Sequence, residues 1–352
     1  MKTYRVAVIG LGRMGSTLDM SVASAAAESE RLELVAGSDL LPERREAFKD
    51  TWGVGAVYEN YMEMVKKESP DLVAICTTAT GLQKPGREAP SKDFVGDSHA
   101  DDALPVIEAG VPMLFVEKAM SCSIAKADAV LEACRRHGTK YGSGLMRRHG
   151  PRYRVARKAI EDGEIGEVAT AVHYGGSSLM HGHIHSIDTL SYLLGDPKIS
   201  AVRGELVPRD MVIEGNRIES DPRATYQLLF ENGVEASTVP GGQFEFEIVG
   251  TEGSVRLMNN GSSALLRKAV PNAQGRAEWL DAPLADVPQA NNTVICLEDL
   301  VDAHEQGRPA HGDIEVTHHV TEACIGVAES HRQGGKWIEL PVGNRDMYIF
   351  HV

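Results

Sequence analysis

The sequence of 352 residues lacks several features on which whole classes of protein depend. No apolar run approaches the roughly 18 to 20 residues of a membrane-spanning helix, and no signal-peptide pattern precedes the first strand-like segment. The five cysteines are odd in number and include no CxxC pair, so neither a disulfide framework nor a zinc knuckle fits. The net charge of -14 would repel the phosphates of a nucleic acid. We therefore expect a cytoplasmic protein with reduced thiols that binds neither membrane nor nucleic acid.

What is present is a globular composition, 42% hydrophobic and 24% charged, in a chain long enough for two domains. Through the first 146 residues, apolar strand-like runs alternate with helix-like segments. This pattern predicts parallel βαβ units in a doubly wound sheet that is covered on both faces. The predicted strands are 4–9, 32–36, 72–76, 112–116 and 140–146, and the predicted helices are 13–30, 42–50 and 124–137.

The pattern changes close to Arg147, where we place the boundary between an N-terminal domain, 1–146, and a C-terminal domain, 147–352. After a predicted helix, strand-like runs separated by turn residues dominate, which indicates a mixed or antiparallel sheet. The predicted strands are 169–174, 199–206, 225–230 and 244–249, and the predicted helices are 151–161, 294–306 and 315–332.

A GxGxxG motif runs from Gly10 to Gly15, directly after a strand and at the start of a helix-like segment. In this context Gly10 permits a tight turn, Gly12 lets the backbone approach a pyrophosphate, and Gly15 allows close packing of helix on strand. The start of the helix would offer amide groups to the phosphates. The motif predicts a dinucleotide site, although a glycine-rich turn without a ligand is an alternative.

Asp39 ends the second predicted strand, 24 positions after Gly15. A carboxylate at about this spacing binds the adenosine ribose hydroxyls and repels a 2′-phosphate, so NAD is the expected cofactor. Leu40 stands where an arginine is common in NADP-binding proteins, and Arg44 and Arg45 read as surface charges of a helix. The alternative for Asp39 is the N-cap of that helix.

Four ordered features make the chain resemble the glucose-fructose oxidoreductase and inositol dehydrogenase family, Gfo/Idh/MocA, over nearly its whole length. They are the segments Val8 to Gly15, Ala74 to Thr78, Ala109 to Lys118 and Ile184 to Gly195. The resemblance implies a Rossmann domain followed by an α/β domain with an open, mostly antiparallel sheet. It also implies a homodimer or homotetramer in which this sheet forms the subunit interface, and a carbohydrate or polyol as the small-molecule substrate.

The resemblance further assigns residues to the site. Besides the three glycines and Asp39, the residues implied to bind the cofactor are Arg13, Met14, Thr77, Thr78, His99, Glu117 and Lys118. Lys118 and His185 occupy the family's catalytic positions. His185 would exchange the hydroxyl proton, since the reference pKa of histidine is about 6.5, and Lys118 would stabilise the alkoxide. The alternatives are a surface lysine at a strand end and a core histidine at a helix start.

The chain departs from the family pattern at three places. Ala119 replaces the usual proline of Glu-Lys-Pro, and His181 replaces an acid found four residues before the catalytic histidine in many members. The third departure is a long predicted loop, 81–98, which we interpret as a lid or wall of the substrate site.

Further substrate-binding candidates are His181, Asp188, Arg147 and Tyr153. Asp188 follows His185 by three positions, so it either orients that histidine on a helix or serves a structural hydrogen bond. On a strand, His181, His183 and His185 would share one face, but no nearby residues complete a ligand set, and we predict no metal site.

The sequence therefore predicts an NAD-dependent oxidoreductase that acts on a secondary alcohol of a sugar, glycoside or cyclitol. An NAD-dependent glycoside hydrolase or lyase, which oxidises its sugar only transiently, is the alternative that the sequence leaves open. A regulator without chemistry is disfavoured, because Lys118 and His185 are both present.

Overall fold

The computed structural model describes residues 2–78 and 97–350. Its strands are β1 Tyr4–Ile9, β2 Leu32–Ser38, β3 Val57–Tyr58, β4 Leu72–Ile75, β5 Met113–Val116, β6 Lys140–Ser143, β7 Val168–Tyr174, β8 Ile199–Val207, β9 Arg217–Ile218, β10 Arg223–Phe230, β11 Glu235–Val239, β12 Glu245–Gly250, β13 Gly253–Met258, β14 Ser263–Pro271, β15 Ala277–Ala282, β16 Ile338–Glu339 and β17 Tyr348–Ile349. Its α-helices are α1 Val22–Glu28, α2 Pro42–Trp52, α3 Tyr61–Glu68, α4 Ser98–Glu108, α5 Ile124–His137, α6 Pro151–Glu161, α7 Ile184–Leu193, α8 Asn292–Gln306 and α9 Ile314–Arg332.

The chain divides into two compact units. The first comprises Met1–Met146, Asn291–His318 and Phe350–Val352, and the second comprises Arg147–Ala290 and His319–Ile349. The division at Met146 coincides with the predicted boundary, but the first unit also takes 291–318, which the sequence analysis assigned to the C-terminal domain. Burial explains the difference, because α8 packs Leu297, Leu300 and Val301 into the core of the first unit.

Within the described residues, the sheet of the first unit has six parallel strands in the order β3-β2-β1-β4-β5-β6. Successive residues of β1 point to opposite faces: Ala7 and Ile9 pack with α3, α4 and α5, whereas Val6 and Val8 pack with α1 and α8. Both faces are thus covered by helices, and the predicted doubly wound Rossmann fold is confirmed.

The sheet of the second unit has nine strands within the described residues, in the order β15-β14-β13-β12-β7-β11-β10-β8-β16. Its pairs are antiparallel except β11 with β7. Side chains of β10 and β12 alternate between buried and half-buried, as expected for a sheet with one covered face. The predicted mixed, mostly antiparallel sheet is confirmed.

Some predicted helices have the observed bounds, such as 124–137, where Ser123 accepts a hydrogen bond from Lys126 as N-cap and Gly138 ends the helix in the left-handed region. The predicted helix 13–30 is wrong as a single element. A π-helical turn, Arg13–Thr17, comes first, and α1 begins only after Ser21, whose hydroxyl accepts from the Ser24 amide. The capping serine starts a new helix in the middle of an alanine-rich segment.

Two other predicted segments differ from the structure. The predicted strand 140–146 ends at Ser143, because a 3-10 turn, Met146–His149, follows. Of the long predicted loop 81–98, residues 81–96 lie outside the described residues, whereas Ser98 already belongs to α4.

Candidate functional site

The glycine motif connects β1 to the π-helical turn at the carboxyl edge of the first sheet. Gly10 has φ +86°, and a Cβ atom on it would lie 2.7 Å from the backbone of Cys76, so a side chain is excluded. A Cβ atom on Gly15 would collide with the Gly10 carbonyl. Gly12 differs, since the atoms near its Cβ position belong to the Arg44 guanidinium, 3.6 Å away. The backbone at Gly12 therefore leaves room for a phosphate beside a positively charged side chain.

The turn after Gly12 spans five residues, Arg13–Thr17. The Gly12 carbonyl accepts hydrogen bonds from the amides of Ser16 and Thr17. As at any helical start, the amides of the leading residues, Arg13 and Met14, have no acceptor within the turn. These two residues therefore lie where the sequence predicts contact with the phosphates.

Asp39 lies at the end of β2 and is buried, with 8% of its surface exposed. Its Oδ2 accepts from the Leu11 amide at 2.9 Å and from Arg44 Nη1 at 3.2 Å, and its Oδ1 accepts from the Leu41 amide at 2.9 Å. Leu41, not Asp39, is the N-cap of α2. Because a carboxylate accepts about four hydrogen bonds, these three leave capacity for a ribose hydroxyl.

The loop to which the resemblance assigns further cofactor contacts follows β4. Thr77 is half-buried and Thr78 is exposed, and the Thr77 hydroxyl donates to Asp102 Oδ2 at 3.2 Å. The ring of His99 is buried, with Nε2 2.7 Å from the Thr77 carbonyl and Nδ1 2.7 Å from the Ala119 carbonyl. Burial and the nearby Lys118 ammonium lower the pKa of His99, although the two carbonyls oppose this shift. His99 thus contacts protein carbonyls on both sides of its ring.

Glu117 and Lys118 directly follow β5 at the same edge of the sheet. Glu117 is buried beside Gly144, and its Oε1 has no hydrogen-bond partner among the described residues. Burial raises the pKa of Glu117, and the charge of Lys118 opposes the rise. Lys118 is half-buried, and its peptide bond to Ala119 is cis. The buried acceptor on Glu117 suits an amide or hydroxyl group of a bound nucleotide.

In the second unit, the three alternating histidines do not lie on a strand. His181 and His183 belong to a π-helical turn, Leu179–His183, and His185 belongs to α7. His181 is exposed, with its amide donating to Asp221 at 2.8 Å, whereas His183 is buried between the Ala224 carbonyl and the Ser186 hydroxyl. Burial lowers the pKa of His183 to about 4. The three side chains therefore differ in environment, and His185 is half-buried.

Asp188 lies one turn after His185 in α7 and is 1% exposed. Its Oδ1 accepts two hydrogen bonds from Arg148, of which the bond from Nε measures 3.0 Å. Arg148 is equally buried and also reaches Asp196 at 3.1 Å. These contacts favour the structural alternative for Asp188, as half of a buried ion pair that fixes α7 to the start of the second unit.

The other two substrate-binding candidates lie near each other. Arg147 stacks over the ring of Phe244 at 4.1 Å and donates twice to Asn260 Oδ1, at 2.9 and 2.7 Å. The ring of Tyr153 meets Phe246 edge-on at 6.1 Å. Burial raises the pKa of the Tyr153 hydroxyl, and the Arg147 guanidinium opposes the rise. Because it stacks on Phe244 and donates two hydrogen bonds to Asn260, Arg147 offers a fixed positive charge beside aromatic rings.

A buried histidine that was not predicted from the sequence, His173, lies in β7 in the middle of the second sheet. It is 0% exposed, its Nδ1 lies 3.1 Å from the Thr238 hydroxyl, and its Nε2 has no partner among the described residues. Burial and the neighbouring His183 and Arg147 lower its pKa to about 3. The two-residue period of a strand could have identified its burial, because His173 is two residues from Ala171 and therefore lies on the same buried face of β7.

The described residues contain no group of three or more potential metal ligands from His, Cys, Asp and Glu side chains. Over the same part of the chain, no helix is both long and apolar enough to cross a membrane.

Comparison with known proteins places these features in context. The chain is 29% identical to scyllo-inositol 2-dehydrogenase (NAD(+)) of Bacillus subtilis over 275 residues, 71% of this chain and 72% of that one. Two solved structures share the fold. An inositol dehydrogenase homologue from Azotobacter vinelandii, in complex with NADH and myo-inositol, has a TM-score of 0.74 at 15% identity and covers 96% of this chain and 98% of its own. An aldose-aldose oxidoreductase from Caulobacter crescentus has a TM-score of 0.75 at 19% identity, covering 96% and 100%.

Family models match both halves of the chain. Residues 4–145 match the oxidoreductase family with an NAD-binding Rossmann fold, and residues 169–340 match the C-terminal α/β domain of the same family. The first match contains the glycine motif, Asp39 and Lys118, and the second contains His185. The chain therefore belongs to the Gfo/Idh/MocA family and is an NAD-binding oxidoreductase.

Proposed function

We propose that this enzyme transfers a hydride between NAD and a secondary alcohol of a cyclitol, sugar or glycoside. One observation carries the proposal: Lys118 follows a strand of the same sheet whose carboxyl edge also holds the glycine motif, Asp39 and Thr77. Ligands of doubly wound sheets bind at this edge. The inositol dehydrogenases among the relatives support the class of substrate.

We assign separate tasks to the residues proposed for cofactor binding and catalysis. NAD, when bound, accepts the hydride of the carbinol. Gly12 and the turn from Arg13 would hold its pyrophosphate, Asp39 its adenosine ribose, and Glu117 a donor group of its nicotinamide half. Lys118 stabilises the alkoxide oxygen, and His185 takes the hydroxyl proton.

Polar groups of the second unit would select the substrate. We propose Arg147 and Tyr153 for this task, with His181 in place of the acid that many family members carry. Asp188 contributes indirectly, because its ion pair with Arg148 holds the helix that carries His185.

A direct assay separates this function from the glycosidase alternative. Purified enzyme is mixed with NAD and a panel of cyclitols, sugars and glycosides, and absorbance at the NADH band is recorded alongside chromatography of the products. A dehydrogenase forms one NADH for each carbonyl product. Cleaved glycoside without NADH would instead support transient oxidation, and no product from any alcohol would contradict the proposal.

Asp39 is expected to set the preference for NAD over NADP. Removing its carboxylate by Asp39→Ala takes away both the ribose acceptor and the negative charge that repels a 2′-phosphate. It also releases Arg44, now 3.2 Å from that carboxylate, to meet the phosphate. Because hydrogen bonds to charged groups contribute about 1.5–3 kcal/mol, the ratio of the two Kd values should shift toward NADP by roughly 10- to 100-fold. Fluorescence titration with each cofactor measures it.

The double variant Asp39→Ala/Arg44→Ala is the matched control. It should lose affinity for NAD without gaining affinity for NADP, whereas adding Leu40→Arg to Asp39→Ala should strengthen NADP binding further. Tighter binding of NADP than NAD by the unmodified enzyme would contradict the role of Asp39.

The remaining expectations concern assembly and location. By resemblance, we propose that the enzyme works in the cytoplasm as a homodimer or homotetramer, assembled through the uncovered face of the second sheet. Supporting this, that face carries half-buried side chains along β10, including Thr225 and Gln227.

A further inference from the structure

The first turn of α4 contacts both loops that the proposed function requires in the first unit. The ring of His99 lies between them, 2.7 Å from the Thr77 carbonyl through Nε2 and 2.7 Å from the Ala119 carbonyl through Nδ1. Ala119 follows Lys118 directly, so the second contact is made one peptide bond from the proposed alkoxide-stabilising residue.

Neighbouring residues reinforce each contact separately. On the β4 side, Asp102 accepts from the Thr77 hydroxyl at 3.2 Å, and the Ser98 hydroxyl donates to the Thr78 carbonyl. Three side chains at the start of α4, those of Ser98, His99 and Asp102, are therefore hydrogen-bonded to the loop that carries Thr77.

On the β5 side, Asp97 precedes α4 and is fully buried. Its Oδ2 accepts from the Ser121 hydroxyl and from the Cys122 amide, each at 2.8 Å. Asp101 pairs with Lys126 further along the chain. These bonds fix the segment after Ala119, whereas His99 contacts Ala119 itself, the residue that follows Lys118.

We propose that His99 is a positioning residue, which sets the place of Lys118 relative to the nucleotide loop at Thr77 by bridging their two carbonyl groups. A protonated imidazole donates to both carbonyls, whereas a neutral imidazole donates to only one of them, since its other nitrogen carries no hydrogen. A carbonyl that loses its buried donor costs about 1–3 kcal/mol, which is enough to shift the equilibrium position of the residue that carries it. The inference rests on the proposed roles of Thr77 and Lys118.

Two isosteric substitutions separate the two contacts. The amide nitrogen of an asparagine falls near the Nδ1 position, and that of a glutamine reaches the Nε2 position. His99→Asn therefore retains a donor toward Ala119, whereas His99→Gln retains a donor toward Thr77. His99→Ala retains neither and should show both defects, each about 10- to 100-fold, the factor that corresponds to the loss of one buried donor.

The expected results differ between the two conservative variants. His99→Gln should lose more kcat than His99→Asn, because Lys118 is displaced, while its Kd for NAD stays closer to that of the unmodified enzyme. His99→Asn should show the reverse order. A merely structural histidine would change kcat and the Kd for NAD equally in both variants, and that result would overturn the proposal. Full turnover in His99→Ala would overturn it as well.

Two measurements do not depend on the substrate. The Kd for NAD is measured by fluorescence titration, and the rate at which acetic anhydride modifies Lys118 is followed by mass spectrometry of its peptide. His99→Gln should change the modification rate of Lys118 more than His99→Asn does, and the opposite order would contradict positioning. If no alcohol is oxidised by the unmodified enzyme, the proposed function fails while this contrast still decides the role of His99.

Discussion

Lys118→Ala and His185→Ala are each expected to lower kcat by about 10²- to 10⁴-fold, the range usual for a lost acid–base group. In the proposed mechanism, the first variant leaves the developing alkoxide without its positive partner, and the second leaves the hydroxyl proton without an acceptor. NAD binding should persist in both, because the glycine motif and Asp39 are untouched. Steady-state kinetics on the best alcohol of the panel, with Kd for NAD measured separately, give the two quantities.

Matched variants test whether chemistry or folding is affected. Lys118→Arg keeps the positive charge but not the compact ammonium group, so it should recover only part of the loss. His181→Asp restores the acid of other family members on an exposed side chain and should be milder, with a shifted pH–rate profile. Near-full turnover in both alanine variants would show that the chemistry depends on other residues.

The second large effect concerns stability. Arg148→Ala should lower the free energy of unfolding by about 3–5 kcal/mol, because it leaves the Asp188 carboxylate buried without its partner. In the unmodified protein, burial already raises the pKa of Asp188 against the opposing charge of Arg148. Without Arg148 the folded state would bind a proton more readily than the unfolded state. The stability of the variant should therefore rise as the pH falls from 7 toward 5.

Urea titrations at pH 5 and pH 7 measure this effect. The double variant Arg148→Met/Asp188→Leu removes both charges and should recover most of the loss, since a buried ion pair replaced by apolar groups is often neutral. Arg157→Ala is the control: it breaks a more exposed pair with Asp196 and should cost less than about 1 kcal/mol. A double variant as unstable as Arg148→Ala would attribute the loss to packing instead of charge.

The parts of the fold that follow from local chemistry could be predicted. The apolar strand 4–9 and the glycine motif after it predict a parallel sheet with a nucleotide site at its edge. In the structure β1 is a strand that pairs in parallel with β4. The helix 124–137 could be placed because a capping serine and a terminal glycine mark its ends. Such signals lie within a few residues of the elements they determine.

The parts that depend on distant partners could not be predicted. Whether Asp188 faces His185 or Arg148 is decided by a contact 40 residues away. The packing of α8 in the first unit likewise arises from tertiary contacts. The two contacts of His99 link three separate segments, so a family motif that names this residue does not reveal what it holds.

The most direct test of hydride transfer uses an alcohol from the panel that is deuterated at the carbinol carbon. The account predicts that deuterium appears at C4 of the nicotinamide, in one equivalent per carbonyl product. It also predicts that turnover slows by a primary isotope effect when hydride transfer limits the rate. Product formed without deuterium in the nicotinamide, during the reaction or after it, would contradict the central claim.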